Sequence, residues 1–257
     1  MGLKTNVKKD KDIVFDERLH KYFHEGRELS NVTSWISEQF VPEFNALFAS
    51  INKAKKNKSE GAQITNPGLL RQYWRLQGDR AASLGTAAHI FAQMYHLNRD
   101  TRPEMGYDSA VINAYESLTK KWEIVELEKR VYSLDYMIAG TADGVIRNKE
   151  TGEIGLFDWK TTSDMHKSYN KMINEMKGVP ASALNKYSLQ LQMYNVLGGF
   201  GASHGNLFVI QLMNDGTFKV YSSKSKDKED VLIDYSKQLQ VALERWRYGT
   251  SHALLGI

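Results

Sequence analysis

The chain has 257 residues, 42% of them apolar and 25% charged, which is enough to bury one substantial core or a core with an appended lobe and is not the composition of a disordered chain. Its net charge of +4 and pI near 9.0 suit a polyanionic partner without requiring one. The absence of cysteine excludes disulfides, thiolate zinc sites, a cysteine-ligated iron–sulfur cluster and a cysteine nucleophile, so any metal must be held by oxygen or imidazole.

The opening MGLKTNVKKDKD reads as a solvated end. Met1-Gly2 has the form of a myristoylation signal, but the lysine-rich, acid-containing run behind it argues against a lipid anchor. No stretch approaches the roughly 20 apolar residues of a membrane span, so an intracellular, cytoplasmic protein is expected. Residues 13–29, IVFDERLHKYFHEGREL, predict two short strands joined by a polar turn. NVTSWISEQF then opens a helix that Ser30 or Asn31 caps. Residues 43–58 predict a second helix ending in a lysine-rich turn, and EGAQITNPG is the clearest break in the chain. It divides an N-terminal hairpin and helical region, 1–66, from a main core, 67–257.

From Pro67 to Asn98 the pattern is helical, with Leu84, Ala88, Phe91 and Tyr95 forming an apolar stripe and an interruption expected at Gly85-Thr86. Within it LLRQYWRLQGDR interleaves Arg71, Tyr73, Trp74, Arg75 and Arg80, a set suited to tracking a phosphate backbone and stacking a base. A helix packed by Trp74 explains the same residues equally well. Lys53, Lys55, Lys56 and Lys58 read as a solvated face.

Residues 108–122 predict another helix, after which the period changes to two in EIVELEKRVYSL. YMIAGTADGVIRN and EIGLFDWKT predict the next two strands, turning through NKETGE. NKYSLQLQMYNVLGG predicts a helix stopped by Gly198-Gly199, GNLFVIQLMNDGTFKVYSS a hairpin turning at Asn214-Asp215-Gly216, and residues 225–248 a long final helix. Strands in the middle with helices before and after give an α/β fold, a central mixed β-sheet flanked by helices.

Three polar residues stand out in the two apolar central strands. Asp143 follows Gly140-Thr141-Ala142 on one; Asp158 and Lys160 lie on the next. A hairpin brings them side by side, and alternation puts Asp158 and Lys160 on one face with Trp159 on the other, its carbonyl left near the carboxylates. Such an all-oxygen site suits Mg²⁺ or Mn²⁺, and phosphodiester cleavage is the chemistry that benefits from it. Lys160 would hold or activate the attacking water. The competing reading is a turn-closing Asp143 and a solvent-facing Asp158–Lys160 pair.

GTADG, then FDWKT, then Tyr187-x-x-Gln190-Leu-x-x-Tyr194, with Gly85-Thr86-Ala87-Ala88-His89 upstream, resembles in order and spacing the RecB-like branch of the PD-(D/E)xK nucleases. The resemblance covers roughly residues 80 to 200, and the opening hairpin with NVTSWI is similar to phage-type and mitochondrial genome maintenance exonucleases of that branch. Ala142 stands where the superfamily's naming proline would be, and the missing cysteines exclude its iron–sulfur subgroup.

The resemblance implies a restriction-endonuclease-like core and a metal-dependent DNA exonuclease of replication, recombination or repair. By it, His89, Asp143, Asp158 and the Trp159 carbonyl hold one or two Mg²⁺ or Mn²⁺ ions. Lys160 is catalytic, and Glu128, or Glu126 on the same strand, meets a second metal or its water. Gln190 and Tyr194, one helical turn apart, contact the nucleic acid or support the lysine, and Thr161 and Thr162 donate to a phosphate, alongside Arg71, Trp74 and Arg75. DNA, single-stranded or with a free end, is the expected partner, with a single-strand-binding or recombination protein beside it. The alternatives are a structure-selective endonuclease with the same site and a non-catalytic DNA-binding recombination partner.

Overall fold

The computed structural model describes residues 7–9, 12–16, 18–19 and 21–255; the Met1-Gly2 end lies outside them. Residues 13–29 hold three strands rather than two. β1 (Val7–Lys9), β2 (Val14–Asp16), β3 (Lys21–His24) and β4 (Arg27–Asn31) form an antiparallel meander. The extra turn is Glu25-Gly26, with φ of 46° and 78°, the two-residue geometry whose twist suits a hairpin. Glu-Gly announces it more weakly than Asn-Gly or Asp-Gly would. β4 runs into α1 (Val32–Phe40), where Asn31 Oδ1 caps the helix by accepting the Thr33 N–H at 2.9 Å.

α2 (Ala46–Ser59) and α3 (Pro67–Leu97) are joined through the expected break. α3 is not interrupted at Gly85: its 31 residues run for about 46 Å at 1.5 Å per residue. The helix simply runs through Gly85 beside the end of β7, where a Cβ would make an ordinary 3.5 Å contact with Thr161 Oγ1. After α4 (Gly106–Thr119), β5 (Trp122–Ser133), β6 (Ile138–Asn148) and β7 (Ile154–Lys160) pair antiparallel in sequence. α5 (Ala183–Gly198) ends on Gly199 in the left-handed region, β8 (Leu207–Leu212) lies parallel to β7, and β9 (Phe218–Tyr221) lies antiparallel to β8. α6 (Ser236–Leu255) starts later than the pattern suggests, at the point where Asp234 Oδ1 takes the Ser236 N–H at 2.9 Å.

β4 also pairs with β6, in parallel, which joins the N-terminal meander to the central strands. Trp35 and Phe40 of α1, Leu189 and Met193 of α5 and Leu239 of α6 bury one face of the sheet with Ile138, Val145 and Leu156. Phe91 and Tyr95 of α3 and Val111 and Tyr115 of α4 bury the other with Ile146, Phe157, Trp159 and Ile210. Each fully buried large side chain contributes about 1.5–3 kcal/mol. The chain is thus α/β, a mixed sheet flanked by helices, compatible with a restriction-endonuclease-like core. β4 pairs with β6 and α1 lies in the first of these clusters, so the break before Pro67 falls between α2 and α3, two helices of one hairpin. Among the described residues no helix is long and apolar enough to cross a membrane.

Candidate functional site

The candidate site forms where β6 changes neighbours. β6 pairs with β7 only as far as Gly144↔Phe157, and with β4 only at Ile138 and Ala139. Beyond Gly144 the next rung is made by a side chain, Asp143 Oδ2 accepting the Trp159 N–H at 2.7 Å. In an extended strand the N–H and C=O of one residue point to the same edge, so the Trp159 carbonyl turns toward the same gap. Gly144 permits the close approach, because a Cβ there would stand 2.1 Å from the Phe157 ring.

On the other side of β6, β5 is irregular. Its register shifts between Ile124 and Glu126, and Glu128 sits at φ 52°, a conformation costing a non-glycine residue on the order of 1 kcal/mol. Its carboxylate meets α3: His89 Nδ1 lies 3.4 Å from Glu128 Oε1 and 3.5 Å from Asp143 Oδ1. One ligand atom from each of His89, Glu128 and Asp143 lies within 4.8 Å of the other two.

Asp158 and Lys160 share a face of β7, and Lys160 Nζ is 2.5 Å from Asp158 Oδ2 and 4.8 Å from the Tyr187 ring centroid. Asp158 is fully buried, and among the described residues neither of its carboxylate oxygens has a hydrogen-bond donor in good geometry. Burial first, and then the Asp143 charge, push the Asp158 carboxyl well above the usual carboxylate range. Burial would lower Lys160, but the Asp158 and Asp143 carboxylates outweigh it and raise the ammonium above its ordinary value. Burial would likewise lower His89, and Asp143 and Glu128 outweigh it, raising the imidazole to about 9. All three shifts have one source: carboxylates crowded into a buried gap with too little positive charge to match them.

A divalent cation supplies the missing charge, and imidazole nitrogen with carboxylate and carbonyl oxygen suits Mn²⁺ or Mg²⁺. The residues therefore fit such an ion. The grouping differs from the expected one in its third side chain. Glu128, marginal by sequence, joins His89 and Asp143, whereas Asp158 lies against Lys160. Glu126 does not replace Glu128: it faces outward and pairs with Lys129 at 3.0 Å.

A cleft of about 750 Å³ opens over these groups, lined among others by Phe15, Gln93, Lys160, Thr161, Thr162 and Tyr187. Thr161 lies on the cleft wall. Thr162 is tied to Tyr187, their hydroxyl oxygens 2.6 Å apart. Phe15 was not legible as a site residue, since it reads as one apolar position in a short strand.

Neither a scan against protein-family models nor a search of curated proteins returns a match.

Gln190 and Tyr194 are buried rather than presented in the cleft, which corrects the expectation that they touch the nucleic acid directly. Gln190 Nε2 donates to the Tyr194 hydroxyl at 2.6 Å, and the Tyr194 ring fills the space over Gly140, where a Cβ would come within 2.6 Å of it. Burial, and then the Asp158 charge, hold the Tyr194 hydroxyl well above its ordinary value. Arg71 fastens α3 to α2, its Nη1 donating to Ser50 Oγ at 2.9 Å, and the Trp74 ring lies 6.4 Å from that of Phe44 in the segment that leads into α2. Arg75 is exposed beside Asp79. These three residues stand 14 to 18 positions before His89, about 21–27 Å away along the helix.

Proposed function

We propose that the chain is a metal-dependent nuclease of the PD-(D/E)xK type that hydrolyses DNA phosphodiester bonds, acting as an exonuclease in replication, recombination or repair. The observation that carries this reading is the convergence of His89, Glu128, Asp143 and the Asp158–Lys160 pair on one gap in the sheet, beneath an open cleft. His89, Glu128 and Asp143, with the Trp159 carbonyl, would hold Mg²⁺ or Mn²⁺. The ion, when bound, neutralises the non-bridging oxygens of the phosphate and lowers the pKa of an attacking water.

Lys160 is held as an ammonium, which favours orienting that water and countering phosphate charge over removing its proton. Asp158 fixes Lys160, and Tyr187 bounds the ammonium on its other side. The Thr161 hydroxyl, on the cleft wall, donates to a phosphate oxygen. The test is degradation of end-labelled single-stranded and duplex DNA with Mg²⁺, Mn²⁺ or EDTA, beside Lys160→Ala and Asp143→Ala. Cleavage that needs metal, and that both variants lose, supports the reading; tight binding without cleavage under any metal contradicts it. A closed circle run in parallel separates an exonuclease, which spares it, from an endonuclease.

A further inference from the structure

Two smaller grooves adjoin the cleft on the far side of α3. One, of about 410 Å³, lies between Arg80, Ala81 and Leu84 of α3, Tyr107 at the start of α4 and Asn214 in the β8–β9 turn. The other, of about 500 Å³, runs from Tyr107 past Thr161 and Ser163 to the same turn. Ala81 lines both the cleft and the first groove, Thr161 both the cleft and the second, and Tyr107 and Asn214 line both grooves. Helix geometry accounts for this. Gln77, Arg80, Ala81 and Leu84 form one stripe of α3 at spacings of three to four, while Ala82, Thr86, His89 and Gln93 form a neighbouring stripe that faces the metal-ligating group. The hollows meet where the side chains are small.

The groove walls have a definite chemistry. Arg80 is exposed and, among the described residues, has no acidic partner, whereas Arg75 and Lys56 on the same helical hairpin are paired with Asp79 and Glu60. The carboxylate on these walls is that of Asp215, and its Oδ1 is taken by the Thr217 N–H at 2.9 Å and the Thr217 hydroxyl at 2.6 Å. That carboxylate keeps its charge on the second groove, while the first has none; the other polar groups on the walls are the Arg80 guanidinium, the amides of Gln77, Gln211 and Asn214, the hydroxyls of Thr161 and Ser163, and the ring of Tyr107. Cation and neutral donors recognise phosphates, and an aromatic ring stacks an unpaired base.

We propose that these grooves bind a single nucleic-acid strand beyond the scissile phosphate, which leaves the cleft past Ala81 and Thr161, with a phosphate on Arg80 and a base on Tyr107. The inference rests on the nuclease reading above. From Gln93 to Gln77 the two stripes extend 16 residues, about 24 Å, room for about seven nucleotides at the 3.4 Å spacing of a stacked strand.

The test measures binding of 3-nucleotide and 12-nucleotide thymidine strands in EDTA, and hydrolysis of bis(p-nitrophenyl) phosphate with Mn²⁺, for wild type, Arg80→Glu and Gln77→Glu, two positions that line the first groove and not the cleft. Both positions are exposed, so both variants fold. Each variant is expected to weaken 12-mer binding about tenfold or more while leaving the 3-mer and the small diester unchanged, and Arg80→Glu lowers the salt slope by about 0.7. Wild-type affinity for the 12-mer in both variants overturns the groove. Failure of wild type to hydrolyse the small diester counts against the nuclease reading, and the dependence of binding on strand length still decides the groove.

Discussion

Replacing Lys160 with methionine removes the one ammonium facing two buried carboxylates while keeping the side chain's bulk. The folded state holds Lys160 above its ordinary pKa, so the ammonium keeps its charge below the unfolded value of 10.5 and loses it only as pH rises beyond, while its attraction to Asp158 also needs that carboxyl ionised. At pH 8 the variant strips the fully buried Asp158 of its cation, so the carboxyl must either stay charged without a partner or take up a proton that the unfolded chain does not hold, and breaking a buried pair in this way costs about 3–5 kcal/mol. Asp158 has an escape, because burial already raises its pKa and it takes up a proton as pH falls. The loss should therefore shrink to about 1 kcal/mol at pH 5, where only packing has changed. Adding Asp158→Asn to Lys160→Met removes the stranded charge and should recover about 2 kcal/mol or more at pH 8. Urea denaturation of the four proteins in EDTA at both pH values measures this. Equal losses at pH 5 and pH 8, or a double variant no more stable than Lys160→Met, would refute the electrostatic account of the pair.

Glu128→Gly should be about 1 kcal/mol more stable than Glu128→Ala by thermal unfolding, because only glycine adopts φ 52° without strain, while both lose metal affinity equally by calorimetry. Gly140→Ala should cost about 2–3 kcal/mol in denaturant melts, since its Cβ would meet Tyr194 at 2.6 Å and Val32 at 3.1 Å. His89, raised to about 9, is protonated at pH 7, so Mn²⁺ binding should release about one proton there and tighten about tenfold per pH unit up to pH 9. Calorimetry in buffers of different ionisation enthalpy reads that proton; identical heats would contradict it.

The central strands β6 and β7 were legible as short apolar runs bounded by turn residues: the hairpin between them and its turn at Asn148 follow from turn chemistry, and backbone alternation puts Asp158 and Lys160 on one face. What alternation does not encode is irregularity. The register shift after Ile124 and the left-handed Glu128 bring that carboxylate to His89 and leave Glu126 outside, and no residue type in EIVELEKRVYSL announces either event. Gly85 misled because a glycine in a helical pattern reads as a break, and here the packing on either side carries α3 through it without interruption. Gln190 and Tyr194 lie one turn apart as expected, but periodicity gives their shared face without saying whether it looks into the cleft or beneath it. Phe15 reaches the cleft only through the pairing of the N-terminal meander with β6, a long-range contact without a local signal.

The central claim is that His89, Glu128 and Asp143 hold the ion that drives phosphodiester hydrolysis. The most direct measurement is single-turnover cleavage of an end-labelled strand across a Mn²⁺ titration, with wild type and Asp143→Asn compared. The account predicts a metal-dependent wild-type rate and a loss of about 10²-fold or more in the variant that added Mn²⁺ does not restore. A rate indifferent to EDTA, or an Asp143→Asn enzyme as fast as wild type at every Mn²⁺ concentration, would contradict it.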